Sequence, residues 1–135
     1  MAQAELVTRS YAGIAAKPVD FSDLFYHRLF ERHPFVRSLF PDDMASQVAN
    51  FRDKIDALIA AIGDLPSLHA DLAALGFRHV AYGTQPRHYG AVGEVLIDTL
   101  AEMSGDAFDA ETRAAWSALY AEVTRIMLEG AARAA

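Results

Sequence analysis

Apolar residues recur along this chain at helical spacing almost from end to end, and no stretch shows the strict alternation of a half-buried strand. The clearest stripe joins Leu68, Leu72, Leu75 and His79, which fall at i, i+4, i+7 and i+11 and share one helix face. Gly83 and Pro86 follow closely and end that helix. The same reasoning predicts a first helix over 3–16, with Leu6, Tyr11 and Ile14 inward, and a second over about 20–33. Phe21, Leu24, Phe25, Tyr26, Leu29 and Phe30 supply the apolar positions of the second. Lys17-Pro18 separates the two, because proline disfavours helix at the residue before it, and Asp20 or Ser22 can cap the second. Pro34 suits the first position of a short helix carrying Phe35, Val36, Leu39 and Phe40.

Pro41-Asp42-Asp43 then turns a corner into a helix over about 43–62, with Met44, Val48, Phe51, Ile55, Leu58 and Ile62 as its stripe. Gly63-Asp64 ends it, and Leu65-Pro66-Ser67 begins the helix that carries His79. A helix over about 87–103 buries Tyr89, Val92, Val95, Leu96, Leu100 and Met103. After a turn at Ser104-Gly105-Asp106, a final helix over about 110–132, capped by Asp109, carries Trp116, Leu119, Tyr120 and Ile126 inward. The pattern predicts one all-α domain over 1–135, with about seven helices and short connections.

Composition narrows the function. With 53% hydrophobic residues, the chain can bury a sizeable core. A net charge of -6 with no basic block argues against nucleic acid or an anionic membrane as the main partner. No apolar run approaches the roughly 20 residues of a membrane span. Met-Ala-Gln-Ala-Glu-Leu lacks the basic flank and apolar core of a secretory signal, so a cytoplasmic location is expected. The absence of cysteine excludes disulfides, thiolate zinc sites, iron–sulfur clusters and covalent haem attachment through Cys-X-X-Cys-His.

Five histidines are the remaining candidates for chemistry, and no two stand at the His-X-X-X-His spacing of a metal site. His27 beside Arg28, His33 before Pro34, His69 near Asp71 and His88 at a helix start all read as surface residues. The acidic residues are scattered over polar faces, and no phosphate-binding glycine loop is present. His79 differs, because it ends an apolar stripe. It is either a satisfied helix-end histidine or a ligand. If Nδ1–H donates to a carbonyl one turn back, such as that of Leu75, then neutral Nε2 is free to bind a metal. One histidine cannot hold zinc, but it can hold iron if a porphyrin supplies the other four nitrogens. Tyr26 reads equally as a core residue with its hydroxyl on a carbonyl, and Gln47, one turn before Phe51, as a solvated amide at the edge of an apolar face.

The order of these residues resembles the globins, specifically the bacterial single-domain globins related to the haem domain of flavohaemoglobins. Phe25-Tyr26-His27-Arg28-Leu29-Phe30 resembles their distal-tyrosine segment. His33-Pro34, with Phe40 six residues after the proline, resembles the corner where a phenylalanine stacks on haem. Met44-Ala45-Ser46-Gln47 followed by Phe51 resembles the distal helix. Arg78-His79-Val80-Ala81-Tyr82-Gly83, His88-Tyr89 and Val92-Gly93-Glu94 are similar to the proximal segment, and Ala115-Trp116 with Tyr120 to the last helix. The matches run in register from residue 6 to about 128.

The resemblance implies a three-over-three helical globin holding haem b noncovalently, with His79 as the proximal iron ligand. Phe40, Phe51, Leu75, Arg78, Tyr82, Tyr89 and Val92 would contact the cofactor, Arg78 through a propionate. Tyr26, Gln47 and Phe51 would face the gas ligand; a phenol O–H or amide N–H in a dry pocket stabilises the partial negative charge that a bound diatomic acquires. Phe51 would narrow the pocket where many relatives carry leucine. In flavohaemoglobins a tyrosine at the position of Tyr89 joins a network with the histidine and a glutamate of the last helix. Counting from Trp116, the matching position here is Ala131, with Glu129 two residues earlier. The implied function is reversible binding of dioxygen or nitric oxide. A nitric oxide dioxygenase served by a separate reductase, a weak peroxidase and a haem-based gas or redox sensor are the alternatives. No flavin-domain sequence follows the last helix here, so any turnover is expected to draw electrons from an external reductase.

Overall fold

The structure, a computed structural model, describes residues 2–134. Six α-helices account for most of it: α1 (Gln3–Ala15), α2 (Phe21–Arg32), α3 (Ala45–Ala60), α4 (His69–Ala81), α5 (Pro86–Ser104) and α6 (Ala110–Ala132). Short 3-10 segments lie at Pro34–Leu39, Ile62–Leu68 and Gly105–Ala107, and no strand occurs among the described residues. Counting the segment at Pro34–Leu39, this matches the expected seven helices. Layers of α1, α3 and α4 over α2, α5 and α6 give the three-over-three arrangement, with α1 on α6, α2 across α5 and α3, and α4 along α6. Among the described residues no single helix is long and apolar enough to cross a membrane.

The core belongs mainly to α1, α2, α5 and α6. Val7, Ile14, Phe25, Leu29, Val95, Leu100 and Trp116 are almost completely buried there, each contributing about 1.5–3 kcal/mol. The inward residue beside the α1 stripe is Val7 rather than Leu6, which is only partly buried. By contrast, α3 fully buries only Ile55 and Ile59, and α4 only Ala73 and Gly76. The two helices that carry Gln47 and His79 are therefore attached to a rigid platform rather than built into it.

At one boundary the structure chooses between two expected caps, and two others differ from the sequence reading, each for a local reason. Asp20, not Ser22, caps α2, accepting from the backbone N–H of Ser22 at 3.1 Å. The Ser22 hydroxyl instead donates to the Val48 carbonyl at 2.7 Å, fastening α2 to α3. Helix α3 begins at Ala45, whose N–H donates to Asp43 Oδ1 at 3.0 Å, so Asp43 lies outside the helix as its anchor. The stretch Leu65-Pro66-Ser67 lies in the 3-10 segment and α4 starts only at His69. Pro66 has no N–H to donate and Asp64 is non-helical, so a continuous α-helix cannot run through this stretch.

Candidate functional site

The distal half of the site is assembled by α2, α3 and the corner between them. Tyr26 is 5% exposed, on the inner face of α2. Gln47, in the first turn of α3, donates its Nε2–H to the Tyr26 hydroxyl at 3.0 Å. The tyrosine is thus satisfied by an amide rather than by a carbonyl, and this has a chemical consequence. Its oxygen accepts, so its own O–H proton remains available to a further acceptor. Burial pushes the phenol up to about 12, partly offset by the Gln47 bond, so it is a neutral donor at any physiological pH. Around it the aromatic rings interlock: Phe51 and Phe40 each lie 5.5 Å from Tyr26, edge-on, and Phe51 stacks on Phe25 at 4.7 Å. The Arg37 guanidinium fixes the corner that carries Phe40 by donating to the carbonyls of Phe40, Pro41 and Asp42 at 3.4, 2.9 and 3.0 Å. An open cavity of about 390 Å³ reaches the far side of Tyr26, lined by Leu24, Phe30, Met44 and Val48. Sequence reasoning set Met44 and Val48 in the stripe of the helix that carries Gln47 but left Arg37 without a role, although its three acceptors lie within five residues of it.

The proximal half is the end of α4. The Nδ1 of His79 lies 2.7 Å from the carbonyl of Leu75. A carbonyl can only accept, so Nδ1 carries the proton and Nε2 carries the lone pair. Burial holds the imidazole below its usual range; the Leu75 carbonyl acts the other way, and the charges of Arg78 and Lys54 push further down. The ring is therefore neutral at neutral pH. Helix α4 ends just beyond it because Gly83 adopts a φ of +87°, which an L side chain rarely tolerates, while Thr84 N–H closes on the His79 carbonyl at 3.1 Å. Tyr82 stands 5.6 Å from the imidazole and is 57% exposed; Tyr89 stands 6.4 Å away and is buried. Arg78 is exposed, while Leu75 and Val92 are partly buried.

The remaining histidines divide. His27 and His69 are exposed, as expected, and pair with Glu31 and Glu129 at 3.7 and 3.5 Å. His88, expected on the surface, is only 7% exposed. Its Nδ1 accepts from the Gln85 N–H at 2.9 Å, closing a capping box at the start of α5, and the apolar body of the ring fills the space beneath Phe35. His33, also expected on the surface, is half-buried, and its Nε2 is buried with no hydrogen-bond partner. Glu129 faces outward: it accepts from Arg125 at 2.6 Å and is nearly half exposed, so it takes no part in a network with His79.

These residues fit a haem group. Nε2 of His79 is uncommitted and the ring is oriented from behind. The apolar faces of Phe40, Val48, Phe51, Leu72, Leu75 and Val92 are only partly buried by the protein itself. The Tyr89 hydroxyl is buried beside His79 without a partner. No three His, Cys, Asp or Glu side chains among the described residues converge as a metal site, so a metal at His79 would need its other donors from a macrocycle.

A layered helical bundle that carries an oriented histidine on α4 and a hydrogen-bonded tyrosine–glutamine pair on α2 and α3 has the parts of a haem-binding class of fold. Comparison with known proteins makes this specific. The globin family profile matches residues 23–127, and the chain belongs to the globin family, haem proteins that bind small gases. It is 30% identical over 143 aligned positions to neuroglobin of Dissostichus mawsoni, covering 96% of this chain and 90% of that protein. It is 31% identical to the flavohemoprotein of Vibrio cholerae over 111 positions, which cover 78% of this chain and 27% of that much longer protein. Among solved structures, an engineered variant of a Rhodothermus marinus protein, described as a carbene transferase, superposes with a TM-score of 0.85 at 26% identity, covering 97% of this chain and 92% of that one. A Pseudomonas aeruginosa protein described as structurally highly homologous to human haemoglobin gives 0.83 at 28% identity, covering 96% and 98%.

Proposed function

We propose that this chain is a haem-b globin that binds dioxygen or nitric oxide reversibly, with His79 as the proximal iron ligand and Tyr26 and Gln47 as the groups that meet the bound gas. The observation that carries this reading is the orientation of His79: Nδ1 donates to Leu75 and Nε2 is left as a neutral donor. When bound, the haem supplies the iron that takes the gas. The protein's part is to orient and to exclude water. Phe40, Phe51 and Val48 keep the distal side apolar, and the Tyr26 O–H, held in place by Gln47, donates to negative charge that develops in front of it. Arg78 and the rings of Tyr82 and Tyr89 flank the proximal side.

The likeness to a flavohemoprotein favours a second reading, oxidation of nitric oxide to nitrate with electrons from a separate reductase. The outward position of Glu129 weighs against it, since no carboxylate strengthens His79 as a donor. The decisive experiment titrates the protein with haem and follows the Soret band. Wild type should bind one equivalent, and His79→Ala should lose haem much faster; equal retention by the two would overturn the proximal assignment. Steady-state nitric oxide consumption with a reductase present separates the readings: turnover far above autoxidation supports the enzyme, and its absence supports reversible binding.

A further inference from the structure

Helix α3 carries the distal amide, yet no residue over 45–54 is fully buried; the buried pair of this helix, Ile55 and Ile59, lies beyond. An open cavity lies against Met44 and Val48, so the first turns have room to move. Phe51 stacks on Phe25, but apolar contact has no direction and does not fix where one helix stops along another. Hydrogen bonds do. They run down one face of α3, at Val48, Arg52 and Asp56, spaced i, i+4 and i+8. The Ser22 hydroxyl donates to the Val48 carbonyl at 2.7 Å, Arg52 donates to Asp20, and the Tyr11 hydroxyl donates to Asp56. Asp20 and Ser22 are joined to each other by the cap of α2, so the start of α2 grips α3 at two successive turns.

The Ser22 bond stands nearest the tyrosine–glutamine pair. Ser22 and Tyr26 are one turn apart on α2, and their partners Val48 and Gln47 are neighbours on α3. Ser22 is completely buried, so water does not compete for its bond, whereas Arg52 and Asp20 are both partly exposed. We propose that Ser22 is a positioning residue for the distal site: by fixing the main chain of α3 beside Gln47 it holds the amide on the Tyr26 hydroxyl, and so sets how fast a bound gas is released. This rests on the haem reading above. Ser22 does not meet the gas; it acts through Gln47. Its removal leaves no orphaned acceptor, because a carbonyl inside an α-helix keeps the N–H from four residues on.

The test compares wild type, Ser22→Ala, Gln47→Leu and the double variant, each as the full chain. In amide hydrogen exchange, Ser22→Ala should speed residues 49–54 about threefold, the lower part of the range for one hydrogen bond, and leave residues 55–60 and helix α6 near wild type. In the ferrous holoprotein, Ser22→Ala should speed dioxygen release about threefold, and adding it to Gln47→Leu should speed release no further. Unchanged exchange over 49–54 would overturn the proposal, as would faster exchange in every helix, since that reports a general loss of stability. Accelerations that multiply in the double variant would overturn the route through Gln47. A wild type that gives no Soret band on titration would instead overturn the haem reading; the exchange result needs no cofactor and decides separately whether Ser22 holds α3.

Discussion

Tyr26 is the residue on which ligand chemistry turns. Because its oxygen accepts from Gln47, its proton is not consumed by that bond and stays available to a further group. Tyr26→Phe should speed dioxygen release from the ferrous holoprotein about tenfold, the effect of losing one hydrogen bond near 1.4 kcal/mol. Gln47→Leu frees the phenol to turn and should give a smaller increase. Stopped-flow displacement of dioxygen by carbon monoxide measures both, and an unchanged rate in Tyr26→Phe would mean that the hydroxyl does not meet the gas. At this scale the sequence was partly legible. The bond from His79 to Leu75 could be read in advance, because a histidine at a helix end reaches the carbonyl one turn back with no help from other elements. The Tyr26–Gln47 bond could not, since its partners are 21 residues apart and meet only when α3 folds over α2. Spacing alone made Gln47 a solvated flank residue. His88 was misread for the same reason: its neighbour Phe35 comes from a distant segment.

Among the helices, α4 is held to the platform in an unusual way. A Cβ at Gly76 would collide with the backbone of Met127, and one at Gly130 with the backbone of Ala73. Helices α4 and α6 therefore touch main chain to main chain, and neither side can yield as a side chain would. Gly76→Ala should cost about 1–3 kcal/mol or more and, because α4 carries His79, should also accelerate haem loss. Gly90→Ala provides the contrast: nothing lies within 4 Å of its added Cβ at an exposed position of α5, so it should stabilise by about 0.5–1 kcal/mol. Thermal unfolding of the two apoproteins checks this, and a destabilised Gly90→Ala together with a neutral Gly76→Ala would refute it. Helix existence was legible throughout, because apolar periodicity and proline positions are local. Helix starts were less so. Whether Asp43 stands inside a helix or anchors it from outside depends on where the first free N–H falls.

Across the whole molecule, Asp98 on α5 accepts from Arg32 of α2 at 2.8 Å and from Arg113 of α6 at 3.2 Å, joining three helices of the platform. Partial burial raises its pKa, but the two guanidiniums outweigh this and hold it below the usual carboxylate range. The unfolded chain then binds this proton more readily than the folded one. The stabilisation is complete above about pH 4 and disappears as the pH falls through the folded pKa. Urea midpoints of wild type and Asp98→Asn should therefore differ at neutral pH and converge below about pH 4, with the gap shrinking in high salt. A gap independent of pH would show that the carboxylate charge contributes nothing.

The sequence by itself determined an all-helical chain, the order of its helices and a histidine poised at the end of an apolar stripe. Those features depend on neighbours a few residues apart, and physical chemistry acts on them before the chain is compact. Only the tertiary structure decided that Gln47 orients Tyr26, that Glu129 pairs with His69, and that His88 lies against Phe35. Each of these joins positions far apart along the chain. Their distance in space is set by how the helices pack on a common platform, which the spacing within any one helix does not encode.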